Sequence, residues 1–182
     1  MACVVDPSDS LALTYHHHAH ISLFVNGTQI AVPGAIGIFG VVSHINPFFF
    51  ETDSSNPASC LYNLHTHTPS GVIHMEVRQA ADPTTFTLKQ FLDVWGVNVT
   101  ATGMTSSVNT FFNFTGATRV FATSMTTGGA GSHPVTEITG QNLATVPLSA
   151  NTEYTIEIGG NVPIPNYTFD PNYLSSSAHR PL

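Results

Sequence analysis

The sequence predicts a small α+β domain in which β-structure predominates. Three observations lead to this prediction: a β-hairpin pattern near the N-terminus, one strand followed by one amphipathic helix in the middle, and several short β-like runs after the helix. This order best fits a small β-grasp-like sheet with the helix on one face. A cupredoxin-like or jelly-roll β-sandwich is the alternative.

The predicted hairpin covers residues 20–32. Ile21, Leu23 and Val25 alternate with residues of the opposite face, as in a strand that buries one side. Asn26-Gly27 follows at once, and this dipeptide favours the two-residue turn in which both central residues have positive φ. Residues 28–32 then return as the second strand.

Residues 43–60 lack any period and contain Asn46-Pro47 and Asn56-Pro57, which predicts a loop. A second clear strand is predicted over residues 71–77. Ile73, Met75 and Val77 share one face of it, and His74 and Glu76 share the other.

The only convincing helix is predicted over residues 87–96. Its apolar residues recur at helical spacing, Thr87 can cap its N-terminus, and Gly96 can close its C-terminus. Short β-like runs are then predicted at 97–100, 108–114, 119–122 and 154–158, with a Gly-rich loop at 126–132. We therefore predict a single His-rich β domain over residues 1–160 and a Pro-rich C-terminal tail over residues 161–182.

The composition narrows the class of protein. Charged residues make up 8% of the chain, against roughly 25% in a typical soluble domain, and Ser, Thr, Asn and Gly supply the polar surface instead. Such a surface is commoner in secreted, wall-associated or filament-forming proteins. The formal net charge of −7 disfavours nucleic acid as a partner and favours cations. No stretch approaches the ~18 apolar residues of a membrane span.

We expect a mature secreted chain, with Met1 as an added start residue. Cys3 and Cys60 are the only cysteines. They either form one disulfide, as an oxidising compartment would allow, or are two unrelated buried thiols.

Histidine is the most informative residue type in the chain. There are ten histidines against four lysines and arginines, and most lie in two clusters. The first cluster spans residues 16–20, and the second spans residues 65–76. Neutral imidazole is the commonest side-chain metal ligand, so two His-X-His pairs and a further strand histidine indicate a transition-metal site.

Strand periodicity predicts which of these side chains share a face. His16, His18 and His20 lie on one face of the first strand, and His74 and Glu76 lie on one face of the second. If the two strands are neighbours, His18, His20 and His74 converge. His65 and His67 then arrive from the segment just before the second strand.

The predicted ligands are therefore histidines of both clusters, with copper or zinc as the ion. Glu76 either ligates the metal or orients a ligand from outside. The predicted metal ligands are His16, His18, His20, His65, His67, His74 and Glu76. A single strand histidine is more often only a buried polar residue, and the isolated His44, His133 and His179 are interpreted as bystanders. Arg78 ends the histidine strand and forms either a salt bridge or an anion contact.

Five segments of the sequence resemble an uncharacterised family of secreted or lipid-anchored, His-rich proteins of bacteria and archaea. The matching segments are HAHISLFVNG (18–27), VPGAIGI (32–38), LHTH (64–67), SGVIHME (70–76) and FTLKQFLDVWG (86–96). The resemblance covers about residues 16–38 and 60–100. It implies that six histidines of the two clusters are the family's histidines, namely His16, His18, His20, His65, His67 and His74. The chain departs from the family at Thr68, where an Asp is usual, and at Lys89, where a Gly is usual.

Three functions are compatible with these features. The first is a secreted transition-metal-binding protein with a multi-histidine site. The second is a metal-dependent hydrolase or oxidase with an open His site and Glu76 as general base. The third is a subunit of an extracellular filament or surface layer, to which the low charge, the short strands and the Pro-rich tail are suited. We favour the first, because the sequence supplies many ligands but few other reactive groups.

Overall fold

The structure is a computed structural model that describes residues 13–40, 42–46, 49–52, 58–77, 85–124, 134–164 and 167. Within the part of the chain that the structure describes, strands account for 49% and there is a single α-helix, so the predicted class, α+β with β predominating, is confirmed. In chain order the elements are β1 (Tyr15–Val25), β2 (Thr28–Ile30), β3 (Ile38–Phe39), β4 (Val42–Asn46), β5 (Phe49–Thr52), β6 (Cys60–Leu61), β7 (Leu64–His65), β8 (Val72–Val77), β9 (Phe86–Thr87), α1 (Leu88–Trp95), β10 (Val97–Thr100), β11 (Gly103–Ser106), a 3-10 helix (Thr110–Phe112), β12 (Phe114–Thr115), β13 (Thr118–Ser124), β14 (Val135–Glu137), β15 (Pro147–Leu148) and β16 (Thr152–Ile158).

A seven-stranded mixed sheet forms the centre of the fold. Its order is β14-β13-β16-β1-β8-β7, and β2 also pairs with β1. The first and last strands, β1 and β16, are parallel, whereas the other neighbours in this sheet are antiparallel. The parallel central pair, the N-terminal hairpin and the single helix agree with the predicted β-grasp-like arrangement.

The two halves of β1 have different neighbours. The N-terminal half, from Tyr15 to His20, pairs with β8, and the C-terminal half, from His20 to Val25, pairs with β16. The strand continues into the predicted hairpin, where Asn26 and Gly27 have φ values of 49° and 82°. This turn places β2 beside the C-terminal end of β1.

The helix forms as predicted. The Thr87 side chain accepts from the backbone N–H of Gln90, the Gln90 side chain accepts from that of Thr87, and Gly96 closes the helix with a φ of 77°. Leu88, Phe91, Leu92 and Trp95 are its buried residues. They belong to one core with apolar side chains of the central strands, among them Ile21, Ile73, Met75, Tyr154 and Ile156.

Two local predictions are wrong in part. Residues 43–60 are not one loop, because β4 pairs with β5 and β6 pairs with β3; the prolines conceal these short ribbons in the sequence. The predicted strand over residues 108–114 contains the 3-10 helix instead. The Ser106 hydroxyl accepts from the N–H groups of Val108 and Asn109, and the Asn109 side chain accepts from Phe111, so side chains replace the strand ladder there.

Some predicted features lie outside the described residues. These are the Gly-rich loop at 126–132, Arg78, His133, His179, Cys3 and all of the tail except residues 161–164 and 167. Cys60 is disulfide-bonded. Within the part of the chain that the structure describes, no helix is long and apolar enough to cross a membrane.

Candidate metal centre

The central sheet brings the two histidine clusters together on the face opposite the helix. In the strand register, His18 lies beside His74 and His16 beside Glu76. On the other side of β8, His65 lies beside His74. The two histidine strands are therefore neighbours, which meets the condition set for their convergence, and β7 adds a third strand.

Two overlapping groups of side chains could hold a metal ion. In each group, every residue offers one ligand atom and these atoms all lie within 4.8 Å of one another. The four-ligand group contains His65, His67, His74 and Glu76; the three-ligand group contains His16, His18 and His74. We refer to the six residues together as the His–Glu cluster.

In the four-ligand group, two imidazoles face each other through the same ring nitrogen. Nε2 of His65 lies 3.1 Å from Nε2 of His67. On the far side of each ring, Nδ1 of His65 donates to the carbonyl of Tyr62 at 2.8 Å, and Nδ1 of His67 donates to the carbonyl of Phe50 at 2.7 Å. Such backbone contacts orient metal-binding histidines and set their tautomer, leaving Nε2 as the ligand atom.

In the three-ligand group, the contacts meet at His18. Its Nε2 lies 3.2 Å from Nε2 of His16 and 3.2 Å from Nδ1 of His74. The Glu76 carboxylate borders both groups, since its Oε1 lies 3.1 Å from Nε2 of His16, 3.4 Å from Nδ1 of His74 and 3.9 Å from Nε2 of His65.

These separations suit ligands that share an ion. With Zn–N bonds of about 2.0–2.1 Å, two tetrahedral ligand nitrogens lie about 3.3 Å apart. The nitrogen pairs of the cluster lie at 3.1–3.2 Å. A metal ion could therefore be accommodated with small movements of the rings.

The cluster is withdrawn from solvent. All six side chains belong to residues that are at most 7% exposed, and His65 is fully buried. Burial lowers the pKa of His65 well below its usual value of 6.5, an effect that Glu76 opposes and that His67 and His74 reinforce. His65 is therefore neutral at pH 7, which is the form that binds metal.

The segment that carries His65 and His67 is fixed by its neighbours. The buried Thr66 hydroxyl donates to the carbonyl of Pro33 at 2.9 Å and accepts from the N–H of Ile36 at 3.1 Å. At Gly37, which has a φ of 72°, a Cβ atom would lie 2.4 Å from the Leu64 carbonyl oxygen. The close approach of these two segments thus requires glycine.

His20 does not join the cluster. Its Nδ1 contacts a carboxylate oxygen of Glu153, its Nε2 donates to the carbonyl of Ser70 at 2.7 Å, and its ring stacks on Tyr167 at 3.5 Å. Both nitrogens face oxygen acceptors, so neither lone pair is directed at a shared ion. The predicted convergence is thus found for His18 and His74, while His20 pairs with Glu153 beside it.

Sequence reasoning did not find Glu153. The sequence did contain a signal for it, because Glu153, Thr155 and Glu157 alternate with apolar residues along β16 and must share its polar face. The backbone partners of His65 and His67 left no such signal. Of the remaining histidines, His17 points to the opposite face of β1, where its ring contacts Tyr15 at 4.4 Å.

Comparison with known proteins adds no assignment: no family model, curated protein or solved structure matches the chain. The resemblance to the uncharacterised His-rich family therefore stays a prediction.

Proposed function

We propose that this protein is a secreted transition-metal-binding protein whose ion, copper or zinc, is held by the His–Glu cluster. The observation that carries the proposal is the pair formed by His65 and His67. A neutral imidazole has one N–H, and in both residues that N–H is used by a backbone carbonyl. Two Nε2 lone pairs are therefore directed at each other across 3.1 Å.

Two facing lone pairs repel unless a cation lies between them. A metal ion satisfies both nitrogens at once, and His74 and Glu76 of the same group supply two further ligands. Such a nitrogen-rich set with one carboxylate suits Zn²⁺ and Cu²⁺.

Binding is favoured over catalysis by the burial of the ligands. A catalytic metal needs an open position that substrate and water can reach. All members of the cluster are at most 7% exposed. This supports a closed site over the hydrolase or oxidase alternative, in which Glu76 would be the general base.

Two features support secretion. Charged residues are only 8% of the chain, and Cys60 is disulfide-bonded. Disulfides persist in oxidising compartments and are rare in the cytosol. A transition-metal site in such a compartment would operate without competition from glutathione.

The direct test is elemental analysis of the untagged protein after purification without chelator. We expect close to stoichiometric copper or zinc. Replacing His65 and His67 together by Gln should remove the ion from the four-ligand group, since both facing nitrogens are lost. The matched control is His17→Gln, which removes an imidazole from the opposite face of the same sheet and should leave the metal content unchanged.

The proposal would be wrong if the purified protein, and the protein dialysed against excess Zn²⁺ or Cu²⁺, both contained no tightly bound metal. It would also be wrong if the His65/His67 variant bound metal as the unmodified protein does.

A further inference from the structure

We propose that the His–Glu cluster holds two metal ions, with a second ion bound by His16 and His18 and with His74 and Glu76 lying between the two. This inference rests on the metal-binding function proposed above, but it can fail separately. It assigns the three-ligand group its own ion, next to the ion of the four-ligand group.

The first argument is the contact pattern of His18. Its Nε2 lies 3.2 Å from a ring nitrogen of His16 and 3.2 Å from a ring nitrogen of His74. One imidazole nitrogen carries either one hydrogen or one lone pair, so a single hydrogen bond engages only one of these neighbours. One cation at the meeting point of the three rings engages all three nitrogens.

The second argument is that one ion cannot take all six ligands. With bonds of about 2.1 Å, ligands on opposite sides of an ion lie about 4.2 Å apart. The cluster does not form one set even at a spacing of 4.8 Å; it forms two groups that share His74. The pairs His16–His18 and His65–His67 therefore belong to different coordination spheres.

The third argument concerns the residues between the two groups. Oε1 of Glu76 lies 3.1 Å from Nε2 of His16 and 3.9 Å from Nε2 of His65, so one carboxylate borders both positions. His74 is a member of both groups, and its Nδ1 lies 3.2 Å from Nε2 of His18 and 3.4 Å from Oε1 of Glu76, so its single lone pair lies between the two positions. Carboxylates placed in this way join two-ion centres with metals about 3.5–4 Å apart.

The surrounding charge is compatible with two cations. Glu76 is within the cluster, and Glu153 lies fully buried beside His20 on the strand that flanks the other side of β1. The chain as a whole carries a formal charge of −7. Buried carboxylates near the cluster offset part of the cost of placing positive charge there.

The test starts from protein stripped of metal with a chelator and then titrated with CuCl₂ or ZnCl₂ alone. Bound metal is measured after desalting. We expect about two ions per chain for the unmodified protein and for His17→Gln. We expect about one ion for the double variant His16→Gln with His18→Gln, and about one for His65→Gln with His67→Gln.

The outcomes separate the two proposals. A single ion per chain in the unmodified protein would overturn the second site and leave the metal-binding function standing. No bound ion would overturn both. If each double variant lost all metal while its circular dichroism spectrum matched that of the unmodified protein, the six residues would form one indivisible site, which also contradicts the proposal.

A measurement on the unmodified protein keeps the inference testable even if the variants fold poorly. In the fully Cu²⁺-loaded protein, two ions about 3.5–4 Å apart that share the Glu76 carboxylate are magnetically coupled. The integrated electron paramagnetic resonance signal should then fall well below the copper content. Two copper ions that gave the full signal of isolated Cu²⁺, without dipolar broadening, would not be neighbours in one centre, and this would overturn the proposal.

Discussion

His18 and His20 lie two residues apart on the same face of one strand, yet they belong to chemically different surroundings. His18 faces imidazoles of His16 and His74 at 3.2 Å. His20 faces a carboxylate of Glu153 and the carbonyl of Ser70. The difference arises because the N-terminal half of β1 pairs with β8 and the C-terminal half pairs with β16.

This contrast shows that two separate factors determine the surroundings of a side chain in a strand. Alternation along the sequence decides which face a side chain occupies. The neighbouring strand decides what the side chain meets there. The cluster of metal ligands therefore ends at His18, because the residues beside His20 are Val72 of β8, which offers no ligand, and Glu153 of β16.

The largest expected effect is a loss of stability when the contact between His20 and Glu153 is removed. Substitution His20→Leu leaves the Glu153 carboxylate fully buried and without the ring that it contacts. Leaving a buried carboxylate without its partner costs up to about 3–5 kcal/mol. We expect a loss of that order in the free energy of unfolding, measured by urea denaturation of the metal-free protein, with the number of bound ions unchanged.

The control is the double variant His20→Leu with Glu153→Leu, which removes both partners. It should be more stable than His20→Leu alone, because no unpartnered carboxylate remains. Loss of metal from the single variant with little loss of stability would instead place His20 among the ligands.

The comparison also shows how far the sequence predicts this molecule. The hairpin, the strand at 72–77 and the capped helix were predicted because each depends on local signals: an Asn-Gly turn, alternation, and a capping box. The short ribbons between residues 42 and 61 were missed because their strands have only two to five residues each, too few to show a period, and because β6 pairs with β3 outside that segment.

The same distinction applies to the site. Membership of the polar face was predictable for His16, His18, His74 and Glu76, since it follows from a period of two. The pairing of His20 with Glu153 was not, because 132 residues separate them in the chain and only the parallel pairing of β1 with β16 brings them together. The orientation of His65 and His67 depends on backbone carbonyls, which any residue can supply.

The next effect concerns metal removal. An ion that binds only the folded chain stabilises it by about 2.7 kcal/mol when free metal is 100 times Kd. We expect chelation to lower the Tm of the unmodified protein and of His20→Leu by similar amounts. The His65/His67 double variant should show a smaller decrease, because one of its two coordination groups is already lost. An identical decrease in this variant would argue that these two histidines are not ligands.

A third prediction concerns acid. The pKa of His65 in the folded chain is well below 6.5, whereas an unfolded histidine titrates near that value. Between these two values the unfolded state binds more protons, so the free energy of unfolding falls as the pH drops below 6.5. Protons also compete with metal for imidazole, so we expect metal loss and a lower Tm between about pH 6 and 4.

Equilibrium dialysis against buffers from neutral pH to pH 4 measures this release directly. The variant His20→Leu should release metal over the same range, since His20 lies outside the cluster. A metal-loaded Tm that stays constant across that range would argue against imidazole ligands.

The smallest expected effect comes from loosening the ligands without removing one. Substitution Thr66→Val deletes the hydroxyl that joins the His65–His67 segment to Pro33 and Ile36. Each lost hydrogen bond costs about 1 kcal/mol. Loss of an outer contact of this kind lowers metal affinity by about 10–100-fold. We expect a decrease of about 10-fold, because the carbonyls of Tyr62 and Phe50 still orient the two rings.

The control for this change is Thr68→Val, two residues along the same segment. The Thr68 hydroxyl contacts only the exposed Ser70 hydroxyl, at 2.7 Å, among the contacts found for it. Its removal should leave the Kd unchanged in a competition titration with a chromogenic chelator. If both substitutions weakened metal binding equally, the segment would not be held at Thr66. If only Thr66→Val weakened metal binding, and the number of bound ions were retained, the Thr66 contact would be what keeps the two imidazoles facing each other.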